Sequence, residues 1–349
     1  MATTLNRRRP AGRPFRAMAW VAAAAAASLM LGGCSTRPVL VVGAAPDSSA
    51  LREAVTRDAL VEHLQVLQDA ADANGGNRAS GTPGYEASAA YVETRLREAG
   101  YEPVRQAFSH EGRGDSVVES FNILADTGGD PARTVVIGAH LDSVRQGPGI
   151  NDNGSGVAAV LEVAIRLAES GTVPANMIRF AFWGGEEDGL YGSTHYVDGL
   201  SDAQAREQLA NLNFDMVGSP NGAVMVYDGD AGPLAFDDPA PKGSADVERI
   251  FLDYFAAQGA AVESVDFNDD SDYQPFLDRD IPVGGLFTGD EEAKSGPEAA
   301  AHGGTPDLEY DPCYHRSCDT LDNVDADLLE DMADALMHAA LALGSTKTG

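Results

Sequence analysis

The chain has 349 residues, of which 44% are hydrophobic and 7% aromatic, and this composition is typical of a soluble globular protein with one large domain or two. Five of its 24 Lys and Arg residues lie within residues 1–33, which contain no Asp or Glu, so the remainder carries 19 basic against 54 acidic residues, a net charge of −35. Such a surface repels phosphate backbones and anionic lipid head groups, and we therefore exclude a nucleic-acid partner.

The first element of the chain is a predicted export signal. The basic stretch NRRRPAGRPFR precedes the short apolar run AWVAAAAAASLML and then LGGC, which is the order of a secretory signal peptide rather than of a membrane-spanning helix. The LGGC ending resembles the bacterial lipobox, in which cleavage precedes a lipidated cysteine, here Cys34; an ordinary signal peptide with a chance cysteine is the alternative. We therefore expect a lipoprotein signal at 1–33, a tether at 34–55 and the folded domain at 56–349, anchored to the membrane rather than spanning it.

From residue 56 onward, helical and strand patterns alternate. Helical patterns lie in RDALVEHLQVLQDAADA, in EASAAYVETRLREAG, at 156–170, at 244–259 and in the closing NVDADLLEDMADALMHAALALG. Apolar runs predict strands at 133–140, 176–184 and 281–287, and AREQLANLNFDMVG and GAVMVYDG predict a short helix or connection that leads into further strands. This alternation predicts an α/β fold, a three-layer sandwich in which helices flank a central, mostly parallel mixed sheet. Residues 101–132 leave no room for a large inserted domain.

The three cysteines are an odd number for an exported protein. Cys34 accounts for the odd one, which leaves Cys313 and Cys318 in CYHRSC. Their separation permits a small local disulfide in an oxidising compartment, and two free thiols are the alternative.

Histidine and acidic residues follow the apolar segments, where the carboxyl ends of strands form ligand sites in open α/β sheets. They are His140, Asp142, Asp152, Glu186, Glu187, Asp215 and His315. Any one of them is explained as a core, turn or surface residue, but the set as a whole contains only the ligand types that zinc takes in catalytic sites, without cysteine. The two imidazoles and three of these carboxylates match two zinc ions that share a bridging carboxylate, an arrangement used for hydrolysis.

The motifs GAHLDSV, GINDNGSG, WGGEEDGLYGS, NFDMVG and CYHRSCDTLDN, in this order, resemble those of secreted bacterial two-zinc aminopeptidases of the Streptomyces type. The broader family includes glutamate carboxypeptidases and glutaminyl cyclases. The similarity runs from about residue 56 to 345 and includes NGGNRAS and SDYQPFLDRDIPVGGLFTG. The resemblance implies that the domain at 56–349 is a zinc peptidase that removes N-terminal residues from peptides.

The resemblance also implies the metal ligands. Two zinc ions would be bound by His140 and Asp215 on one side, by Glu187 and His315 on the other, and by a bridging Asp152. Asp142 would orient His140 and so fix its tautomer. The peptide bond after Asp152 would be cis, which is rare before a residue other than proline.

Two further residues carry the reaction in this interpretation. Glu186 would be the general base, taking a proton from the attacking water and delivering it to the leaving amine. Tyr314 would donate a hydrogen bond to the oxyanion, and a packing tyrosine beside the disulfide is the alternative. A bridge between Cys313 and Cys318 would hold Tyr314 and His315 in a rigid loop.

An aminopeptidase has to recognise a free α-ammonium group, and Glu186 and Asp215 with nearby carbonyl groups would form a negative pocket for it. Carboxypeptidase relatives instead need arginines that grip a terminal carboxylate. The predicted site loops are poor in arginine, with Arg279 and Arg316 the nearest. This favours an aminopeptidase over the alternative of another two-zinc peptidase, a carboxypeptidase or dipeptidase.

We expect Tyr273 and Phe276, together with GGLFTG, to line the side-chain pocket, which in this family favours large apolar residues such as leucine. Close relatives carry a Gly-Arg pair before SDY, whereas this chain has Asp269 and Asp270. We hypothesise that the amine end is more acidic here and accepts basic N-terminal residues as well. An Asp270→Arg variant, compared with wild type on Leu- and Lys-nitroanilide, tests this hypothesis.

Calcium, which modulates some relatives, is a further candidate cofactor. Its ligands would be Asp327, Glu330 and Asp334 near the final helix, and a solvated acidic face is the alternative. A glutaminyl cyclase, which works with one zinc, and a non-catalytic binding protein on the same fold are the rival functions; the latter typically lacks ligands or the base, and here all are present. We expect a monomer that is exported and either lipid-anchored to the cell membrane or periplasmic or extracellular.

Overall fold

The structure is a computed structural model that describes residues 40–41, 46–112, 116–230, 240–268 and 271–348. The predicted signal, the lipidation site Cys34, and Asp269 and Asp270 lie outside the described residues. Within the described ranges, no helix has both the length and the apolar character that a membrane crossing requires.

The ten strands among the described residues range from two residues to eleven, and the fourth is the longest. They are β1 (Leu40–Val41), β2 (Val104–Glu111), β3 (Val117–Asp126), β4 (Asp130–His140), β5 (Asn176–Trp183), β6 (Gln208–Phe214), β7 (Met225–Tyr227), β8 (Glu263–Val265), β9 (Val283–Phe287) and β10 (Lys347–Thr348). β1 pairs with β10 in a separate antiparallel ribbon.

The helices alternate with these strands. They are α1 (Ser49–Arg52), α2 (Arg57–Ala73), α3 (Pro83–Glu98), α4 (Gly154–Glu169), α5 (Tyr191–Asp198), α6 (Asp202–Glu207), α7 (Ser244–Gln258), α8 (Gln274–Asp278), α9 (Gly296–His302) and α10 (Ala326–Ser345), with a 3₁₀ turn at Leu321–Asn323.

The main sheet has eight strands in the order β2-β3-β5-β4-β6-β9-β7-β8. The central strands β5, β4, β6 and β9 are parallel, whereas β2 and β3 at one side and β7 against β9 at the other pair antiparallel. The predicted three-layer α/β fold with a mixed, mostly parallel sheet is therefore confirmed.

The antiparallel strands β2 and β3 fall in the segment for which the sequence pattern predicted no element. In β2 only Phe108 and His110 are buried. Because this strand forms the edge of the sheet and covers little of the core, it lacks the continuous apolar run that identified the central strands.

The core lies on both faces of the sheet, as the two-residue period of a strand requires. In β4, Val135 and Ile137 pack into the larger cluster, which includes side chains of α2, α3, α4, α7 and α10, whereas Val136 packs into the smaller cluster on the opposite face. Nearly every residue of α4 is buried, and Asn153 caps its N-terminus by accepting a hydrogen bond from the Gly156 N–H (2.9 Å). This cap fixes the backbone immediately after Asp152.

The end of the predicted tether packs against the domain. The Ser48 hydroxyl lies 2.9 Å from Nδ1 of His338, and an Arg52 guanidinium nitrogen lies 3.5 Å from a carboxylate oxygen of Asp334, both on α10. Ser48 and Arg52, within the predicted tether at 34–55, thus have polar partners on α10.

Candidate metal centre

Three of the predicted ligands come from the carboxyl ends of neighbouring parallel strands. His140 is the last residue of β4, Glu187 follows β5, and Asp215 comes directly after β6. Since β4 lies between β5 and β6, the three ends meet at one edge of the sheet.

The other two predicted ligands are brought to this edge by connections. The Asp152 N–H donates to Oδ2 of Asp319 at 3.0 Å, and the peptide bond between Asp152 and Asn153 is cis, as the resemblance implies. His315 lies inside the loop closed by the Cys313–Cys318 disulfide, so that predicted bridge is present. The His315 backbone is left-handed (φ 56°), a conformation that few residues other than glycine adopt.

The five side chains converge on two points. Nε2 of His140 lies 3.2 Å from Oδ1 of Asp215 and 3.3 Å from Oδ1 of Asp152. Nε2 of His315 lies 3.1 Å from Oδ2 of Asp152 and 3.0 Å from Oε2 of Glu187. The Asp152 carboxylate therefore faces both imidazoles with one oxygen each. We call this set of five residues the metal-centre cluster.

The electrostatics of the cluster favour positive charge. Burial alone would lower the pKa of His140, but the carboxylates of Asp215 and Glu186 outweigh burial and raise that pKa well above its usual range. Burial likewise opposes the charged form of His315, yet hydrogen bonds to Asp152 and Glu187 raise its pKa to about 10. Burial, together with the Asp152 charge, raises the pKa of Glu187 to about 8. These shifts all favour the protonated form of each group, as expected where several carboxylates surround a place that suits a cation.

The residues present fit zinc. Oε1 of Glu187 is buried and, within the described part of the chain, accepts no hydrogen bond. A buried carboxylate oxygen without a donor is costly, and a divalent cation removes that cost. The donor set consists of imidazole nitrogens and carboxylate oxygens, which are ligands that zinc takes. Ligand atoms of His140, Asp152 and Glu187 all lie within 4.8 Å of one another, and so do those of His140, Glu186 and Asp215.

Asp142 contacts His140 more closely through its backbone carbonyl group than through its carboxylate. Nδ1 of His140 lies 3.1 Å from the backbone carbonyl oxygen of Asp142 and 3.9 Å from its Oδ1. That Oδ1 instead accepts a hydrogen bond from the Glu186 N–H at 3.2 Å. The carbonyl group therefore fixes the His140 ring, while the carboxylate positions the loop that carries the two glutamates.

Glu186 and Tyr314 border the same cavity as the cluster. Oε2 of Glu186 lies 3.9 Å from Nε2 of His140, and the Tyr314 ring stacks on the His315 ring with centroids 3.9 Å apart. Burial and the charges of Asp152 and Asp215 raise the pKa of Tyr314 far above its usual value, so its hydroxyl keeps its proton and can donate it in a hydrogen bond.

The cavity has a volume of about 350 Å³, and apolar side chains form much of its wall. They include Leu190, Met216, Tyr227, Val265, Phe287 and the predicted Tyr273. Phe276, also predicted to line the pocket, is fully buried in the smaller core cluster, where its ring lies 6.2 Å from Trp183 and 6.0 Å from Tyr196. Tyr273 belongs to the same buried cluster but also lines the cavity, which Phe276 does not.

The two arginines closest to the predicted site loops in sequence, Arg279 and Arg316, face away from the cavity, as the aminopeptidase interpretation requires. Arg279 pairs with Asp202 at 2.9 Å and Arg316 lies 3.8 Å from Glu309, and neither is among the residues that line the cavity.

Sequence reasoning assigned no role to Arg78, which the structure places behind the cluster. Its side chain is fully buried and donates to the backbone carbonyl groups of Leu141, Pro148 and Gly149. It therefore ties together the loop after β4 and puts a fixed positive charge near the carboxylates. The signal was its place in NGGNRAS, a stretch with polar residues and glycines but no predicted element.

Asp319 was also missed. Its carboxylate accepts hydrogen bonds from the backbone N–H groups of Asn151 (2.8 Å) and Asp152 (3.0 Å), so it anchors the segment that presents the shared ligand. It lies in the quoted motif CYHRSCDTLDN, one residue after Cys318.

The acidic residues proposed for calcium contact basic partners instead. Nε of Arg57 donates to Oδ1 of Asp327 at 2.7 Å, the Arg57 N–H donates to Glu330 at 2.9 Å, and Asp334 pairs with Arg52. None of the groupings of metal-capable atoms found among the described residues includes them. The solvated acidic face, the alternative reading of these residues, agrees with these contacts.

Comparison with known proteins gives one family. The profile of Peptidase family M28 matches residues 122–340. Leupeptin-inactivating enzyme 1 of Streptomyces exfoliatus is 42% identical over 81% of this chain and 61% of its own length, and an aminopeptidase of Pseudomonas aeruginosa is 48% identical over 62% and 40%. The chain thus spans less than two thirds of these two relatives. The "Probable lipoprotein aminopeptidase LpqL" of Mycobacterium tuberculosis is 34% identical over 87% of this chain and 89% of its own length.

Solved structures share the fold. An aminopeptidase from Aneurinibacillus sp. strain AM-1 superposes with a TM-score of 0.68 at 17% identity, covering 86% of this chain and 97% of that one. A glutaminyl cyclase from Porphyromonas gingivalis gives 0.62 at 18% identity, covering 82% and 98%. The fold alone therefore does not choose between peptide hydrolysis and cyclisation, and the side chains at the sheet edge have to decide.

Proposed function

Because the chain belongs to peptidase family M28, we propose that it is a metallo-aminopeptidase that uses two zinc ions to remove N-terminal residues from peptides. The observation that carries this proposal is the position of Asp152, whose two carboxylate oxygens lie 3.3 Å from His140 Nε2 and 3.1 Å from His315 Nε2. A carboxylate shared in this way suits a pair of metal ions, with Asp215 completing one side and Glu187 the other.

The metal ions, when bound, lower the pKa of water and polarise the carbonyl group of the scissile bond. Glu186 is the general base, which takes a proton from the attacking water and later gives it to the leaving amine. Its backbone N–H is held by the Asp142 carboxylate at 3.2 Å, and its side chain borders the cavity. Burial raises the pKa of Glu186, which suits a carboxylate that has to hold a proton between two steps.

The Tyr314 hydroxyl group donates a hydrogen bond to the oxyanion of the tetrahedral intermediate. The disulfide loop and the stacked His315 ring fix its position beside the cluster. Glu186 and Asp215 attract the free α-ammonium group of the substrate, and the absence of arginine from the cavity lining among the described residues disfavours a terminal carboxylate there. The apolar wall suits a large apolar N-terminal residue such as leucine.

The proposal includes export and a lipid anchor on Cys34, with a signal at 1–33, a tether that begins at Cys34 and the peptidase domain from residue 56. The LGGC motif supports it, as does the name of the lipoprotein relative from Mycobacterium tuberculosis. We expect the monomeric full-length protein to fractionate with membranes in a bacterial host and a Cys34→Ala variant to be released. Equal release of both proteins would contradict the anchor.

The decisive assay uses the purified domain on leucine p-nitroanilide, before and after treatment with a chelator and after zinc is restored. We expect activity that the chelator removes and zinc restores, two zinc ions per chain by elemental analysis, and no turnover of N-acetyl-leucine p-nitroanilide. Hydrolysis of the blocked substrate or insensitivity to the chelator would refute the proposal, and one zinc ion per chain would favour the cyclase alternative.

A further inference from the structure

Two carboxylates line the cavity that belong neither to the metal-centre cluster nor to the proposed catalytic residues. Asp266 directly follows β8 and is exposed, and Asp290 lies beyond the end of β9 and is half-buried. Oδ1 of Asp290 accepts a hydrogen bond from the Glu292 N–H at 3.2 Å. The proposed hydrolysis of leucine peptides uses neither residue.

No basic side chain of the cavity lining pairs with these carboxylates within the described residues. Among the described residues that line it, none is lysine or arginine. Burial raises the pKa of Asp290, the direction expected of a carboxylate that is partly removed from water. A cationic group of a substrate that reaches Asp290 gains a charge-assisted hydrogen bond.

The wall beside these carboxylates is flat and apolar. The Tyr227 and Phe287 rings stack at 18° with their centroids 6.5 Å apart, and Val265 immediately precedes Asp266. Lysine and arginine bury their aliphatic stems along such surfaces while the charged head stays at a polar end, and a guanidinium or ammonium group is attracted to an aromatic face. A volume of about 350 Å³ accommodates the long stem.

We propose that the cavity accepts N-terminal lysine and arginine as well as large apolar residues, with the stem against Tyr227 and Phe287 and the cationic head at the carboxylates of Asp266 and Asp290. This inference rests on the proposed aminopeptidase function and names the substrate residues of the same site. In this proposal the basic side chain of the substrate is recognised by two residues that line the cavity, whereas Asp270, the residue suggested by the sequence, lies outside the described residues.

The test compares lysine p-nitroanilide with norleucine p-nitroanilide, which has the same stem without the charge. For the zinc-loaded wild type we expect kcat/KM values within about tenfold of each other. Asp290→Asn should lower the ratio of lysine to norleucine about tenfold, the value of one charged hydrogen bond. Asp266→Asn should lower it about threefold, because an exposed pair is weaker. Glu291→Gln, an exposed neighbour that does not line the cavity, should leave the ratio unchanged.

The inference is overturned if neither aspartate variant changes the ratio, or if wild type hydrolyses norleucine but not lysine. Because each variant is judged by its ratio of lysine to norleucine kcat/KM, a general loss of activity affects both substrates equally and leaves the ratio unchanged. If Asp290→Asn does not fold, Asp266→Asn still tests the inference. Calorimetric binding of L-lysine and L-norleucine to the zinc-loaded protein gives the same ratio without turnover. Absence of all hydrolysis with lysine still bound through Asp290 would refute the proposed function and leave the specificity of the cavity standing.

Discussion

Two acid-rich regions of this protein invite the same interpretation from sequence, and the structure separates them. The carboxylates of the metal-centre cluster lie between two histidines at the edge of the sheet, where Glu187 is only 6% exposed. The acidic face of α10, which we define as Asp327, Glu330 and Asp334, contacts arginines from the N-terminal segment, and Asp327 is 84% exposed.

The difference shows that the density of acidic residues does not define a metal site. Water and arginine satisfy the acidic face of α10 at little cost. In the cluster, burial removes water, and the nearest arginine, Arg78, spends its hydrogen bonds on carbonyl groups rather than on the carboxylates. Uncompensated burial next to imidazole, rather than charge alone, is what points to a cation. The predictions below test each part of this contrast, beginning with the largest effect.

The adjacent glutamates should fail in different ways. Glu186→Ala should lower kcat about 100- to 10,000-fold, the usual contribution of a general base, and should keep the zinc content of wild type. Glu187→Ala should lose zinc first, because it removes a ligand. Elemental analysis and kcat on leucine p-nitroanilide measure both quantities.

The matched control is Glu330→Ala on the acidic face of α10, which should change neither zinc content nor kcat. If Glu186→Ala and Glu187→Ala behave alike in both measurements, the assignment of separate roles to the two residues is wrong.

Arg78 should matter to the cluster without touching the substrate. Arg78→Met leaves buried carbonyl groups of Leu141 and Gly149 without a donor and removes a positive charge behind the carboxylates. We expect zinc affinity to fall about 10- to 100-fold, the usual effect of losing a residue that supports metal ligands. Arg78→Lys keeps the positive charge but loses the planar set of guanidinium donors, so the zinc affinity of this variant should lie between those of wild type and Arg78→Met. Competition with a chelating dye measures it.

Arg57→Met, which removes an exposed arginine that pairs with the acidic face of α10, is the comparison variant and should bind zinc like wild type. An unchanged zinc affinity in Arg78→Met would show that the buried arginine serves only the fold.

Asp334 is a partly buried member of the acidic face of α10, and its effect on stability should depend on pH. Burial, opposed by Arg52, raises the pKa of Asp334 to about 6. The folded state therefore holds this proton more tightly than the unfolded state, and the stability gained below the unfolded pKa is lost as the pH rises through about 6. Asp334→Asn should raise the free energy of unfolding by about 1 kcal/mol at pH 8 and have little effect at pH 4. Urea unfolding at both pH values measures this. If Asp334→Asn stabilised the protein at pH 4 and not at pH 8, the predicted pH dependence would be wrong.

The sequence predicted the fold best where the chain is buried on both sides. Central strands such as β4 and β5 and the apolar helices α4 and α10 carry uninterrupted patterns, whereas the edge strand β2 buries only Phe108 and His110 and gave no signal. The site was predictable because its ligands follow strand ends in order, and the chemistry of His, Asp and Glu limits what such a set can bind.

Side-chain direction and long-range support were not predictable. Phe276 and Tyr273 are three residues apart at the start of one short helix, a spacing that puts both on the same face, so the pattern could not show that only Tyr273 lines the cavity. Arg78 and Asp319 act through backbone groups that lie far away in sequence, and a pattern of residue types carries no information on such contacts.

The smallest effect is expected at the most exposed pair. Arg57 and Asp327 lie 2.7 Å apart with 51% and 84% of their side chains exposed, so water and salt screen the attraction. Asp327→Asn should therefore change the free energy of unfolding by no more than about 0.5 kcal/mol, and added calcium chloride should not shift the unfolding temperature of either protein. Thermal unfolding with and without millimolar calcium measures both expectations. A calcium-dependent rise in wild type that Asp327→Asn abolishes would make the acidic face of α10 a metal site after all, and exposed carboxylates paired with arginine would then no longer distinguish a solvated surface from a binding site.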